Sequence, residues 1–162
     1  MSMCLSGRHG TAYVFFVRLH TVDPYPALAW RSKRGKRCWR QLGKYELWLE
    51  EWRKGATLNN DPDELSICEE VTRVYAKSGF RIAQTRNVEL LKQLAQRRYV
   101  DPADIAYEIA YLGDKEQVFF WLQKAYSEKS GGLQAIKIAK VLEPFRSDPR
   151  YIDLIKRMRL PL

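Results

Sequence analysis

Three glycines recur at nearly regular intervals along this chain of 162 residues, and their spacing constrains the fold more than any other feature. Gly79 follows Gly43 by 36 residues, and Gly113 follows Gly79 by 34. A helix-length amphipathic segment lies before and after each of them. This period predicts helical hairpins, each with an apolar face that only a neighbouring hairpin can cover. We therefore expect an all-α domain of two to three stacked antiparallel hairpins and a short C-terminal capping helix.

Capping residues predict where the helices begin and end. Asp-Pro pairs at 61–62, 101–102 and 148–149 predict helix starts, because Asp accepts from free backbone N–H groups and Pro lacks an N–H. The three spaced glycines and the Gly131–Gly132 pair are expected to end helices in the left-handed conformation. Apolar-face residues recur every three or four positions at Leu65, Cys68, Val71, Thr72, Tyr75 and Ala76, and again at Ile105, Ile109, Ala110 and Leu112.

The net charge of +9 is concentrated near the start of the chain. Residues 1–40 contain eight basic residues and one acid, a net charge of +7, whereas residues 41–162 contain 20 basic and 18 acidic residues, a net charge of +2. We therefore predict a basic leader over residues 1–40, poorly ordered or atypical, and a helical repeat domain over residues 41–162. A nucleic-acid footprint is not expected across the repeat domain.

A basic run in this leader is the basis for an alternative prediction of function. The cations lie between Trp30 and Trp39 and are Arg31, Lys33, Arg34, Lys36 and Arg37. Guanidinium groups can pair with phosphates while indoles stack on bases, so the alternative is a nucleic-acid-associated regulatory module. A single short cluster of cations gives only weak, salt-sensitive binding to nucleic acid. The same run is also explained as a set of charged side chains exposed to solvent, with no partner. Nucleic acid is therefore not the expected partner.

No pattern in the sequence indicates catalysis or a cofactor. The three cysteines form no C-x-x-C pair, and with two histidines they do not make a four-ligand metal site. The nucleophile-elbow and phosphate-loop motifs are absent, so a non-enzyme without cofactor or metal is expected. The odd number of cysteines, which form no C-x-x-C pair, and the lack of a membrane-length apolar run lead us to expect a cytoplasmic protein. The aromatic residues at 119–121 and 126 are expected in the hairpin core.

Two stretches resemble the tetratricopeptide repeat family. The stretch at 111–126 is similar to the turn and second helix of such a repeat, with Gly113 at the turn, Leu122 at the large apolar position and Ala125 at the small one. The stretch from Gly43 to Gly55 resembles the same half-repeat, although a tryptophan takes the position where the family prefers alanine. Residues 144–161 are similar to a segment that closes many bacterial arrays of this family, often behind a winged-helix or kinase domain. The resemblance implies a scaffold whose partner is a protein or peptide.

The resemblance also implies a binding groove lined by the first helix of each hairpin. Carrying the family register over places Glu69, Arg73 and Lys77 in one row, and Ala103, Tyr107 and Tyr111 in the next. Such a groove is expected to take an extended or helical peptide with a carboxylate and an apolar anchor. The alternative is that Glu69 pairs with Arg73 on a solvated face.

Overall fold

The computed structural model describes residues 39–161, and this part of the chain is helical with no strand. Residues 39–41 are helical and precede α1 (Tyr45–Leu58), α2 (Pro62–Leu94), α3 (Pro102–Ala110), α4 (Lys115–Ser127) and α5 (Pro149–Arg157). Two short 3-10 helices, Gly131–Ala135 and Lys140–Phe145, connect α4 to α5. The predicted all-α class is confirmed.

The three spaced glycines have the positive φ that the sequence predicts, although Gly79, with a ψ of −178°, lies outside the left-handed helical region. Gly43, Gly79 and Gly113 have φ angles of 69°, 75° and 79°. Gly79 lies inside α2 and divides it into two arms. Arg86 of the second arm lies 3.5 Å from Glu70 of the first, and Arg98 just beyond α2 lies 2.7 Å from Asp61 just before it. The two arms therefore run antiparallel.

Side-chain hydrogen bonds fix α1 against the first arm of α2. Trp52 Nε1 donates to Glu64 Oε1 at 2.8 Å, and the Tyr75 hydroxyl donates to Glu46 Oε1 at 2.6 Å. Contacts early in α1 thus pair with contacts late in the arm, so these helices are antiparallel as well. The core that α1 shares with both arms of α2 consists of the buried residues Trp48, Leu49, Trp52, Ile67, Cys68, Val71, Ala83 and Leu94.

A second core lies among α3, α4, α5 and the two 3-10 helices. Ala103, Ala106 and Ala125 are fully buried there, because small side chains let helices approach closely. The Tyr151 hydroxyl of α5 donates to the Ile136 carbonyl oxygen at 3.1 Å and ties α5 to the preceding connection.

The three predicted Asp-Pro helix starts are confirmed. Asp61 accepts from the Glu64 backbone N–H at 3.0 Å, Asp101 from Ala103 at 2.8 Å and Asp148 from Arg150 at 2.8 Å. Proline occupies the start of α2, α3 and α5.

Two local predictions are wrong. Gly131 and Gly132 do not adopt a positive φ; Lys129 does so, at 53°. Gly132 is instead needed for space, because a Cβ there would lie 2.9 Å from the Ala103 Cβ. On the first arm of α2, Thr72 and Ala76 are exposed although the spacing placed them on the apolar face.

The predicted leader of residues 1–40 lies almost wholly outside the described residues. Trp39 and Arg40 are described and helical, and Arg40 is 4% exposed. Among the described helices none is both long and apolar enough to cross a membrane.

Candidate functional site

The predicted first groove row is exposed on α2. Glu69, Arg73 and Lys77 all lie on the surface of its first arm. Glu69 lies 3.7 Å from Arg53, and Arg73 lies 2.8 Å from Glu70, so the alternative Glu69–Arg73 pair is not the contact that forms. Partner binding by this row stays a prediction.

The second predicted row contributes mainly to packing. Tyr107 is 5% exposed and donates to the Gly132 carbonyl oxygen at 2.8 Å, while Ala103 is fully buried. Tyr111 is half-buried, with the Arg40 guanidinium carbon 3.8 Å from its ring centre. The structure therefore does not place the two tyrosines in an open row beside the α2 residues.

The candidate nucleic-acid residues Arg31, Lys33, Arg34, Lys36 and Arg37 lie outside the described residues. That alternative stays a prediction.

A buried polar cluster, which the sequence reasoning missed, joins residues 39–41 to α2 and α3. Arg40 makes a bidentate ion pair with Glu108, in which Arg40 Nη2 donates to Glu108 Oε1 at 2.8 Å. Gln84 and Asn87 each donate to Glu108 Oε2 at 2.9 Å. Burial by itself lowers the pKa of Arg40, but the charge and hydrogen bonds of Glu108 outweigh it, so the pKa is raised. The cluster therefore holds a permanent charge inside the domain.

An open groove runs between α4 and α5 and has a volume of about 600 Å³. Its apolar lining includes Phe119, Leu122 and Leu154, which are largely buried, and Phe120, which is 59% exposed. The charged and polar lining residues are Glu116, Gln123, Arg150, Asp153 and Arg157. This arrangement of an apolar centre with a polar rim is typical of protein-binding surfaces.

Ion pairs order the rim of the α4–α5 groove. Arg150 donates to the two carboxylate oxygens of Glu116 at 2.9 and 3.0 Å and also contacts Asp148 at 3.2 Å. Hydrogen bonds from Arg150 and then from Lys115 hold the pKa of Asp148 well below its usual range. Arg150 likewise lowers the pKa of Glu116. Glu116 and Asp148 therefore stay ionised at neutral pH.

Phe120 is the residue of this groove that the core assignment missed. Phe119 and Trp121 are buried as expected, but Phe120 points outward. Successive helical residues are separated by about 100°, so three consecutive aromatic residues span too wide an arc for all of them to face one core. That geometric limit was a usable signal in the sequence.

Within the described residues no group of three or more His, Cys, Asp or Glu side chains is arranged to hold a metal ion. Comparisons with protein-family models, curated proteins and solved structures each find no match.

Proposed function

We propose that this chain is a non-catalytic scaffold that binds a peptide or a segment of a partner protein. The observation that carries the proposal is the α4–α5 groove, where Phe120 is 59% exposed between two helices. A groove of this kind suits an amphipathic partner segment, whose apolar side chains would cover Phe120 while its polar groups meet the ionised rim. Covering an exposed aromatic ring is a favourable source of binding free energy.

We propose further that the helices form a tetratricopeptide-like stack of hairpins. The near-regular glycine spacing, the positive φ at all three glycines and the antiparallel arms of α2 support this architecture. In such a stack the exposed row of Glu69, Arg73 and Lys77 is a further contact surface. We also propose a cytoplasmic location, because the three cysteines of the sequence are odd in number and form no C-x-x-C pair.

The test is to select binders from a library of random short peptides with the intact chain, then to measure their dissociation constants for two variants. Phe120→Ser removes the exposed aromatic ring of the groove. Tyr99→Ser is the matched control, because Tyr99 is 69% exposed and does not line the groove. We expect Phe120→Ser to weaken the selected peptides by about tenfold or more, as loss of an aromatic anchor does.

The helical circular dichroism spectrum of each variant checks that the fold is intact. Equal binding by the wild type and by Phe120→Ser would show that the groove is not the binding site. An equal loss from Tyr99→Ser would show non-specific contact with any exposed aromatic residue.

A further inference from the structure

The charge of the described residues is separated along the chain. Residues 39–123 contain 12 basic and 14 acidic residues, a net charge of −2, whereas residues 124–161 contain nine basic and four acidic residues, a net charge of +5. The near-neutral total of the helical domain therefore hides a basic C-terminal part.

Four cations of this part define what we call the C-terminal basic surface: Lys137, Lys140, Lys156 and Arg159. Within residues 39–161, none of the four forms an ion pair with a carboxylate. Their charges are therefore not neutralised by the domain itself. By contrast, Arg150 and Arg157 in the same part are paired with neighbouring acids.

Hydrogen bonds bring the two ends of this surface together. The Lys137 ammonium group contacts the carbonyl oxygen of Pro161, two residues beyond Arg159. The Arg159 backbone N–H donates to the Lys156 carbonyl oxygen at 2.9 Å. Arg146 donates to the Lys137 carbonyl oxygen at 2.7 Å and so holds that turn in place. Lys140 lies three residues farther along the same connection.

An exposed aliphatic residue lies within this basic sequence. Ile138 is 77% exposed, the highest exposure among the large hydrophobic side chains of the described residues. It directly follows Lys137 and is separated from Lys140 by one residue. The surface thus offers positive charge and an apolar contact side by side. Glu143 and Asp153 are also exposed in this part of the chain, but Asp153 is already paired with Arg157.

We propose that the C-terminal basic surface binds an acidic peptide segment of a partner protein that also carries an apolar side chain. Carboxylates of such a segment would pair with the unneutralised cations, and its apolar residue would cover Ile138. A nucleic-acid backbone offers phosphates but no aliphatic group for Ile138, so the acidic peptide fits both features better. The inference rests on the proposed scaffold function but uses residues outside the α4–α5 groove.

The test uses a fluorescent peptide rich in Asp and Glu with one pair of leucines, and the same peptide with serines in their place. Binding to the full chain is followed by anisotropy at about 50 mM and about 200 mM NaCl, because screening weakens exposed ion pairs. We expect the leucine peptide to bind more tightly than the serine peptide. We also expect Ile138→Ser to abolish that difference.

Charge location is tested with two double variants of equal net charge. Lys140→Glu with Arg159→Glu reverses two cations of the surface. Lys44→Glu with Arg81→Glu is the control, because these two cations are exposed and also lack ion pairs within the described part of the chain. We expect the first pair to weaken the leucine peptide by about tenfold and the second by less than about twofold.

Other outcomes would overturn the proposal. An equal loss in both double variants would show a response to net charge alone. Complete loss when the five leader cations Arg31, Lys33, Arg34, Lys36 and Arg37 are changed to Gln would assign peptide binding to the leader instead. Tighter binding of short single-stranded DNA, or of phosphatidylserine vesicles, that depends on Lys140 and Arg159 would assign the surface to another partner class. Phe120→Ser separates the two proposals, since it disables the groove and leaves this surface unchanged.

Discussion

Two arginines join distant parts of the molecule, and they do so in opposite surroundings. Arg40 pairs with Glu108, 68 residues away, and the two side chains are only 3% and 14% exposed. Arg150 pairs with Glu116, 34 residues away, and those side chains are 42% and 79% exposed. The same chemical contact therefore has different consequences. Water can replace a lost partner of Arg150, whereas little water reaches Arg40.

The surroundings of Arg40 show how a buried charge is accommodated. Its guanidinium carbon lies 3.8 Å from the Tyr111 ring centre and 4.9 Å from that of Trp48, so aromatic faces cover the cation. Gln84 and Asn87 supply Glu108 with further hydrogen bonds. The whole cluster depends on each member, because removing one leaves the others buried and unsatisfied.

The largest effect is expected from Glu108→Gln. This change keeps the shape of the side chain but removes the negative charge that compensates Arg40. We expect it to lower the free energy of unfolding by about 3–5 kcal/mol, the cost typical of an unpaired buried charge. Urea denaturation followed by circular dichroism measures the change. The control is Glu89→Gln, an exposed carboxylate of α2 that lies outside the cluster. If Glu108→Gln costs no more than the control, the cluster is not buried as described.

A smaller effect is expected when both charges are removed together. Arg40→Met with Glu108→Leu replaces the pair by apolar side chains of similar size. Since no uncompensated charge remains, we expect the free energy of unfolding of the double variant to lie within about 1–2 kcal/mol of the wild-type value. It should also be higher than that of Glu108→Gln. The same denaturation experiment gives the ranking. A double variant less stable than Glu108→Gln would mean that the hydrogen bonds of Gln84 and Asn87 matter more than the charge.

The sequence predicts those features of the fold that local chemistry determines. The Asp61, Asp101 and Asp148 caps depend on neighbours within three residues, and the turns at Gly43, Gly79 and Gly113 depend on backbone conformation at one residue. The need for Gly132 is different, because it arises from contact with Ala103, 29 residues earlier. Local patterns do not contain that information.

The candidate site is less predictable for the same reason. In the sequence Arg40 is one more cation of a basic leader, because its partner Glu108 is distant in sequence and burial is a property of the folded domain. The family register predicts Tyr107 in an open groove, although the later 3-10 helix Gly131–Ala135 supplies the carbonyl oxygen that its hydroxyl contacts. The family register predicts which face of a helix a residue lies on. Whether that face is exposed to solvent depends on segments that follow later in the chain and pack against it.

The smallest effect on stability is expected when the exposed Arg150 is replaced, and this effect depends on pH. Hydrogen bonds from Arg150 are the main cause of the low pKa of Asp148. A carboxylate with a lowered folded-state pKa stabilises the fold above its unfolded pKa of about 3.9, and this contribution is lost as pH falls below that value. We therefore expect Arg150→Gln to leave the melting temperature within about 2 °C of the wild type at pH 7 and to raise the pKa of Asp148. Carboxyl NMR titration measures that pKa.

Arg157→Gln is the matched control, because Arg157 is an exposed arginine of α5 that pairs with Asp153 and not with Asp148. A pKa of Asp148 that rises equally in both variants would show a general charge effect, whereas a rise confined to Arg150→Gln would show that the Arg150 contact itself lowers this pKa and supplies the small stabilisation that goes with it.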